Sequence, residues 1–238
     1  MVVELLGGML ALAVFEATVR PLSSGSSGSS GPNGVPWAHA VSVFAANFAL
    51  SMALVAAAFI DAEHMYLPDA VTLGGTLFGI ATPALRAMSF RDALVGALVG
   101  FLVVWLPLIV GYKALRGRAG MGLGDAKLVM LAGAWFGWPG ALFALFAGAI
   151  QATLGAAVLL LAHGKIDEPE SVKKDREELH RAAAAGDQDA VRALEEDPLA
   201  AAPASGLMAA RLPFGPFLCV AIVEWMLAGW WIQERWFS

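Results

Sequence analysis

Residues 46–72 read ANFALSMALVAAAFIDAEHMYLPDAVT, in which an uncharged apolar run from Ala46 to Ile60 ends directly at Asp61. The run continues back to Trp37 without a Lys, Arg, Asp or Glu residue. A helix needs about 20 mainly apolar residues to cross the roughly 30 Å hydrocarbon core of a bilayer. The stretch therefore predicts a membrane-spanning helix that carries a carboxylate at its end.

The composition of the whole chain agrees with a membrane protein. Of 238 residues, 58% are hydrophobic and 15% are charged, whereas about a quarter of the residues in soluble domains are charged. The apolar residues form long unbroken runs, while a transmembrane barrel would show short alternating segments. We therefore predict an all-α, polytopic transmembrane helix bundle and exclude a soluble domain with a single core.

About seven membrane segments are predicted from the apolar runs. The fifth is short, because its residues make only about 20 Å of helix at 1.5 Å per residue. Either the bilayer is thinner there, or the loop before this segment, which contains Asp125, dips into the membrane. The predicted segments are Val3–Val19, Trp37–Ile60, Ala70–Met88, Ala93–Leu115, Ala126–Trp138, Ala141–Ala162 and Pro213–Ile232.

Two polar stretches separate these runs. One begins with SSGSSGSSG and is typical of a flexible linker. The other is long and charged, and its stretches Ser171–Ala185 and Gln188–Glu196 suit helices. The predicted organisation is a first transmembrane helix at 1–22, the linker at 23–36, a transmembrane core with Asp61 and Asp125 at 37–163, a charged helical insertion at 164–211 and a last transmembrane helix at 212–238.

The positions of the basic residues predict the orientation in the membrane. With seven crossings, the loops alternate between the two sides. Eleven of the 15 Lys and Arg residues belong to one set of loops, which leaves four for the other set. Basic residues favour the cytoplasmic side, so the helix ends that carry Asp61 and Asp125 are predicted to face the cytoplasm.

Asp61 and Asp125 are candidates for function, because ionisable side chains near membrane depth are costly. Asp125 lies in GMGLGDAKL, residues 120–128, whose glycines permit tight turns and close backbone approach. Each aspartate also has a plainer interpretation, Asp61 as an interfacial carboxylate at a helix end and Asp125 as a helix cap. Capping of the next helix is enough to explain Asp69, which follows Pro68.

If the fold brings Asp61 and Asp125 together, the carboxylates would share one proton, because like charges a few Å apart cannot both ionise. One would then act as general base on a water molecule and the other as general acid on a leaving group. No H-E-x-x-H or G-x-S-x-G motif competes with this pair. The single cysteine, Cys219, is interpreted as a core residue that allows no cysteine-ligated zinc site. No metal and no cofactor is predicted.

Three ordered motifs resemble those of the type IV prepilin peptidases. FIDAEHMYLPDAVTL, at residues 59–73, resembles the first aspartate motif of that family, and GMGLGDAKL resembles its G-x-G-D motif. RLPFGPFL, at residues 211–218, resembles the segment that opens the last helix of the family. VELLGGMLA, at residues 3–11, resembles the helix before the first aspartate helix. The resemblance spans almost the whole chain and implies a membrane-embedded aspartyl protease.

The resemblance implies a role for particular residues of this chain. Asp61 and Asp125 match the catalytic pair of the family. Five further positions match residues that are implied to shape the site without taking part in the chemistry: Gly122, Gly124, Lys127, Pro68 and Asp69.

The implied substrate is a prepilin or pseudopilin, which has a basic leader, a Gly at the cleavage point and an apolar helix after it. Cleavage is expected at the cytoplasmic face of a bacterial inner membrane. The lipid bilayer is the other expected partner, no nucleic acid partner is expected, and the oligomeric state stays open. Full-length members begin with a further helix and two C-x-x-C pairs linked to N-methylation. Because neither feature occurs here, N-methyltransferase activity is not expected.

Other interpretations stay open at this point. A related G-x-G-D protease would act on preflagellins or on membrane helices. A transporter or an assembly subunit would use the aspartates for ions or for contacts, although no internal repeat of the kind common in transporters is visible. A further alternative is a retained fold without activity. Small residues such as Gly96, Gly100, Gly133 and Gly148 permit close helix approach, and we interpret them as packing positions in preference to a substrate groove.

Overall fold

The computed structural model describes residues 2–19, 37–116, 121–163, 170–196 and 213–236. The predicted linker at 23–36 and the first two residues of RLPFGPFL lie outside these ranges. Every regular element within them is helical, which confirms the all-α fold. The α-helices are α1 (Val2–Thr18), α2 (Trp37–His64), α3 (Asp69–Ala81), α4 (Phe90–Val104), α5 (Tyr112–Arg116), α6 (Leu123–His163), α7 (Glu170–Ala184), α8 (Gln188–Glu196) and α9 (Gly215–Trp236).

Within the described residues, three stretches of helix are long and apolar enough to cross a bilayer, namely Trp37–His64, Phe90–Leu115 and Leu123–Ala162. Shorter apolar helices accompany them in α1, α3 and α9. Large apolar side chains on the outside of the bundle are widely exposed, as at Leu161, which is 89% exposed. Such a surface suits lipid and not water. The chain is therefore an integral membrane protein.

The turn between α2 and α3 is short and well defined. Helix α2 ends at His64, and Met65 then takes a positive φ of 51° while its N–H donates to the Asp61 carbonyl. Pro68 occupies the N-cap position of α3 with an extended backbone. The cap expected at Asp69 is therefore not formed, because Asp69 is already the first residue of the helix.

Helix α3 is shorter than the predicted segment Ala70–Met88. Pro83 disfavours a helical backbone at the residue before it, and Thr82 has φ −123° and ψ 43°. A 3-10 turn, Pro83–Arg86, follows. The Arg86 guanidinium turns back to donate to the Gly79 carbonyl in the last turn of α3, and it lies 4.5 Å from the Trp135 ring centroid. Burial lowers the pKa of Arg86 to about 10.

The fourth predicted segment, Ala93–Leu115, forms one continuous helical stretch whose central turns are wider than those of an α-helix. A π-helical segment, Trp105–Gly111, joins α4 to α5. Pro107 lies inside it and has no N–H to donate, so a regular α-helical ladder cannot pass this point. Wider turns of this kind are a common way to accommodate such an interruption.

Helix α6 bends sharply at Gly137, which has φ 72° and ψ −177°, two residues before Pro139. The bend divides the helix into arms at 123–136 and 138–163. These arms correspond to the fifth and sixth predicted segments, Ala126–Trp138 and Ala141–Ala162. A backbone with this φ and ψ is essentially restricted to glycine, so the glycine at position 137 makes the bend possible.

The centre of the bundle is the contact between α4 and α6. A Cβ atom on Gly96 would overlap the Gly133 carbonyl, and a Cβ atom on Gly133 would overlap the Gly96 carbonyl. Gly100 faces the Val129 carbonyl in the same way, and Gly148 lies against Leu218 of α9. The interpretation of these glycines as packing positions is confirmed, because the helix backbones touch where they lie.

Outside the apolar bundle, α7 and α8 form a helix pair that meets at Gly186, where φ is 92°. Both helices occur where the sequence predicted them, in the charged insertion. Helix α2 packs on α1 and α9, whereas α3 packs on α6. This division leaves α2 and α3 with few direct contacts, although they are neighbours in the chain.

Candidate active site

Asp61 lies in the last turn of α2 and is buried, with 5% of its surface exposed. Its Oδ2 atom accepts a hydrogen bond of 3.0 Å from the backbone N–H of Gly215. Gly215 is the first residue of α9, and the first N–H groups of a helix have no partner within that helix. The carboxylate therefore binds at a helix N-terminus, where the helix dipole favours negative charge.

Gly215 has room for no side chain. A Cβ atom there would lie 2.5 Å from Asp61 Oδ2 and 2.8 Å from Asp61 Cγ. Only glycine brings its N–H this close to the carboxylate. Gly215 was not among the predicted site residues, although its place between two Pro-Phe pairs in PFGPF, residues 213–217, was a signal that a close approach occurs there.

Asp125 is the third residue of α6, so it belongs to the first helical turn and not to a loop before the helix. Its carboxylate reaches back to the backbone N–H of Gly122, the residue before the helix. An acidic side chain at this position often bonds the N-cap N–H in this way. One explanation of the short fifth segment placed Asp125 in a loop that dips into the membrane. That explanation is wrong, because the helix begins earlier, at Leu123.

The fold brings Asp61 and Asp125 together from helices that are far apart in the chain. The charge of Asp61 acts on Asp125, which is partly buried. Each carboxylate is held by a backbone N–H at a helix start, Asp61 by Gly215 and Asp125 by Gly122. The site is thus a pair of carboxylates between the end of α2 and the starts of α6 and α9.

Leu67, in the turn after α2, packs between the two helix starts. A Cβ atom on Gly215 would lie 3.2 Å from Leu67 Cδ2, and one on Gly124 would lie 3.3 Å from Leu67 Cβ. Leu67 is 6% exposed and belongs to the main apolar core. It closes the site on one side, and its position directly before Pro68 in the short α2–α3 turn was the available sequence signal.

Lys127 and Asp69 form an ion pair across the site, with Nζ 2.6 Å from Oδ1. Lys127 belongs to the first turns of α6, and Asp69 begins α3, so the pair joins the α2–α3 turn to the helix that carries Asp125. The side chains are 21% and 53% exposed, respectively. Two of the predicted supporting residues are therefore partners of each other.

Comparison with known proteins addresses the same part of the chain. The type IV leader peptidase family matches residues 48–160, which contain both aspartates, Asp69 and Lys127. Over these residues the chain is similar to the type IV leader peptidase family. The start of α9, with Gly215, lies beyond the residues that match this family.

Individual relatives show the same similarity. The chain is 38% identical over 125 residues to a prepilin leader peptidase/N-methyltransferase of Aeromonas hydrophila, covering 50% of this chain and 42% of the relative. It is 41% identical over 113 residues to the protein of that name from Myxococcus xanthus (strain DK1622), covering 47% and 33%. For the Neisseria gonorrhoeae protein, identity is 34% over 120 residues, covering 49% and 41%.

The match thus spans less than half the length of these curated relatives. No solved structure matches the chain.

Two further features bear on the chemistry of the candidate site. Cys219, one turn into α9, is buried and has no disulfide partner, which confirms it as a core residue. It is close enough to the site for the charges of both aspartates to act on it. Among the described residues, no group of three or more His, Cys, Asp or Glu side chains is arranged to hold a metal ion.

Proposed function

We propose that the protein is a membrane-embedded aspartyl endopeptidase that removes the basic leader of prepilins or pseudopilins. The observation that carries this proposal is the pairing of Asp61 and Asp125 at one end of the helix bundle. The family match over residues 48–160 and the names of the relatives support the substrate class. Asp61 and Asp125 are proposed as the catalytic residues.

The proposed chemistry is direct hydrolysis by water. One carboxylate takes a proton from a water molecule while the water oxygen attacks the carbonyl carbon of the scissile peptide bond. The other, protonated carboxyl group gives its proton to the leaving nitrogen as the C–N bond breaks. General acid and base catalysis of this kind needs two groups in opposite protonation states, which two close carboxylates provide.

Besides the two carboxylates, the protein contributes backbone N–H groups that hold them in place. Gly215 N–H and Gly122 N–H bond the two side chains through carboxylate oxygens. Both donors belong to helix starts, and hydrogen bonds to a charged acceptor are stronger than neutral ones. The carboxylates are thus fixed before substrate arrives, which lowers the entropy cost of reaching a reactive geometry.

We further propose that the site faces the cytoplasm in a bacterial inner membrane. This follows from the excess of Lys and Arg in the loops on the side of Asp61 and Asp125. A prepilin would enter with its leader in the cytoplasm and its apolar helix in the membrane. The scissile bond then lies at the interface, at the level of the two aspartates.

Cleavage of a purified prepilin in detergent or proteoliposomes tests the proposal, with Asp61→Asn and Asp125→Asn beside the unaltered chain. Asn keeps the size and polarity of Asp but cannot act as the acid or the base. We expect cleavage after the leader Gly by the unaltered chain and none by either variant. Asp92→Asn is the matched control, because Asp92 only bonds Ser89 at the start of α4.

The three outcomes are clearly separated. Loss of cleavage in both variants, with the same melting temperature as the unaltered chain, supports the aspartyl mechanism. Cleavage by either variant at the rate of Asp92→Asn would assign that aspartate to structure alone. An unaltered chain that cuts none of several prepilins would contradict the proposed activity itself.

A further inference from the structure

A cavity of about 880 Å³ lies between α2 and α3. The cavity exists because α2 packs against α1 and α9 while α3 packs against α6. The two helices therefore diverge beyond their connecting turn. We call the cavity the α2–α3 groove. Its walls are mostly Ala and Gly, as shown by Ala45, Ala49 and Ala53 on α2 and by Ala70, Gly74 and Ala81 on α3.

Two residues with hydroxyl groups line the α2–α3 groove, and each already uses its hydroxyl proton in a hydrogen bond. Ser42 Oγ donates to the Ala38 carbonyl and Thr82 Oγ1 donates to the Phe78 carbonyl, each within its own helix. The other lining side chains are almost all apolar, so a polar occupant would find few partners there, and an unpaired polar group in an apolar environment costs several kcal/mol. The groove therefore suits an apolar occupant.

The dimensions of the groove suit a helix. From Ser42 to Ala53 the α2 wall is about 17 Å long at 1.5 Å per residue, which is about half the hydrocarbon core of a bilayer. Small residues on both walls let another helix backbone approach closely. Lipid chains need no such close approach, so the composition of the walls favours a helix.

The groove also continues toward the carboxylates. Ala70 follows Asp69, whose carboxylate pairs with Lys127 beside the site. On α2, Asp61 comes about two helical turns after Ala53, or about 12 Å along the axis. A chain with its scissile bond at Asp61 and Asp125 can cover this distance with about four extended residues before its helix enters the groove.

From these observations we propose that the α2–α3 groove binds the apolar helix that follows the cleavage point of the substrate. This inference rests on the proposed function and adds the surface that recognises the membrane part of the substrate. Binding there would hold the scissile bond at the carboxylates, so that the apolar helix raises the affinity for substrate without entering the chemistry.

Gly74 provides the means to test the groove. It is exposed, lines the cavity, and a Cβ atom there would have no other atom within 4 Å. A large side chain at Gly74 thus begins in open space and fills the groove. The next residue, Gly75, is unsuitable, because a Cβ atom there would lie 2.6 Å from Leu131 Cδ1.

The experiment compares two substrates of Gly74→Trp in proteoliposomes: a full-length prepilin, and a soluble peptide with the leader and the first few mature residues. We expect the KM for the full-length prepilin to rise about tenfold more than the KM for the peptide, a difference of about 1.4 kcal/mol. Gly8→Trp on α1 and Leu77→Trp on α3, a position that does not line the groove, are the controls. A Cβ atom on Gly8 has open space, and Leu77 is 69% exposed.

Cross-linking gives a second measurement that does not depend on a bulky variant folding. Gly74→Cys and Leu77→Cys are made in an Asp61→Asn chain, and the native Cys219 is buried. A prepilin with a cysteine in the first turns of its apolar helix should cross-link to position 74 and not to position 77.

Failure of the inference and failure of the proposed function are distinguishable. If the unaltered chain cleaves, Asp61→Asn is inert, and yet Gly74→Trp affects both substrates equally without a cross-link at position 74, the groove holds only lipid and the inference is overturned. If Asp61→Asn still cleaves, the proposed aspartyl mechanism fails, whatever the groove variants do.

Discussion

Asp61 Oδ2 lies 3.0 Å from the backbone nitrogen of Gly215, and the two residues are 154 positions apart in the chain. This contact joins the end of α2 to the start of α9. The group that orients the Asp61 carboxylate is a backbone N–H. No substituted side chain can place a donor at the same position. The site therefore depends on a residue whose contribution is the absence of a side chain.

Gly215→Ala should lower kcat and leave KM nearly unchanged. The added methyl group overlaps Asp61 Oδ2 and Cγ, so the carboxylate must turn away while the substrate surfaces stay the same. A displacement of about 1 Å in a catalytic group can lower the rate by about 100-fold. Steady-state cleavage kinetics measure the change, with Gly8→Ala, which meets no atom within 4 Å, as control. A rise in KM at constant kcat would contradict a positioning role.

The Asp69–Lys127 pair should contribute little to stability. Both side chains are partly exposed, and exposed ion pairs are typically worth about 0.2–1 kcal/mol. Asp69→Asn, Lys127→Met and the double variant form a double-mutant cycle, measured by thermal unfolding in one detergent at two salt concentrations. We expect a coupling energy below about 1 kcal/mol that decreases with salt. A coupling of several kcal/mol would show that the pair is buried in the membrane.

Gly96→Ala and Gly133→Ala should each destabilise the bundle. In both variants the new methyl group meets the backbone of the facing helix, not a flexible side chain. Overpacking of this kind typically costs about 1–3 kcal/mol. Melting temperatures in detergent measure the effect, and Gly74→Ala is the control, because it faces open space on α3. Equal melting temperatures for all three variants would exclude close α4–α6 contact.

Gly137→Ala should weaken the bend in α6. The backbone at Gly137, with φ 72° and ψ −177°, is one that alanine rarely adopts, and such strain costs about 1–3 kcal/mol. Thermal unfolding in detergent should show this loss of stability. Gly148→Ala would be a poor control, because a Cβ atom there would lie 2.9 Å from Leu218 Cδ2. Gly7→Ala, with no atom within 4 Å, is suitable. An unchanged melting temperature would show that α6 can pass residue 137 without the bend.

Much of the helical architecture was predictable, because local rules decide it. The apolar run before Asp61 ends at the carboxylate, and α2 ends one turn later, at His64. Pro83 ends α3 before the predicted limit Met88, for a steric reason that was also present in the sequence. The prediction extended the segment too far because it weighed hydrophobicity above the backbone restriction that proline imposes.

The role of small residues was less accessible to sequence analysis. Gly96 and Gly74 look alike in the sequence, since both lie in apolar helices. The structure places Gly96 against another backbone and Gly74 at an open groove. Which side of a helix faces a partner depends on the packing of all the other helices, so composition alone could not distinguish the two.

The sequence by itself determined that the protein is a membrane-embedded helix bundle with two aspartates at helix ends, because apolar run length and charge cost in lipid act locally. Only the tertiary structure decided that Asp61 and Asp125 lie close enough for their charges to interact, that Gly215 holds one of them, and that Lys127 pairs with Asp69. The physical reason is that these contacts join separate helices. Their geometry follows from how the helices pack, which no spacing within one segment encodes.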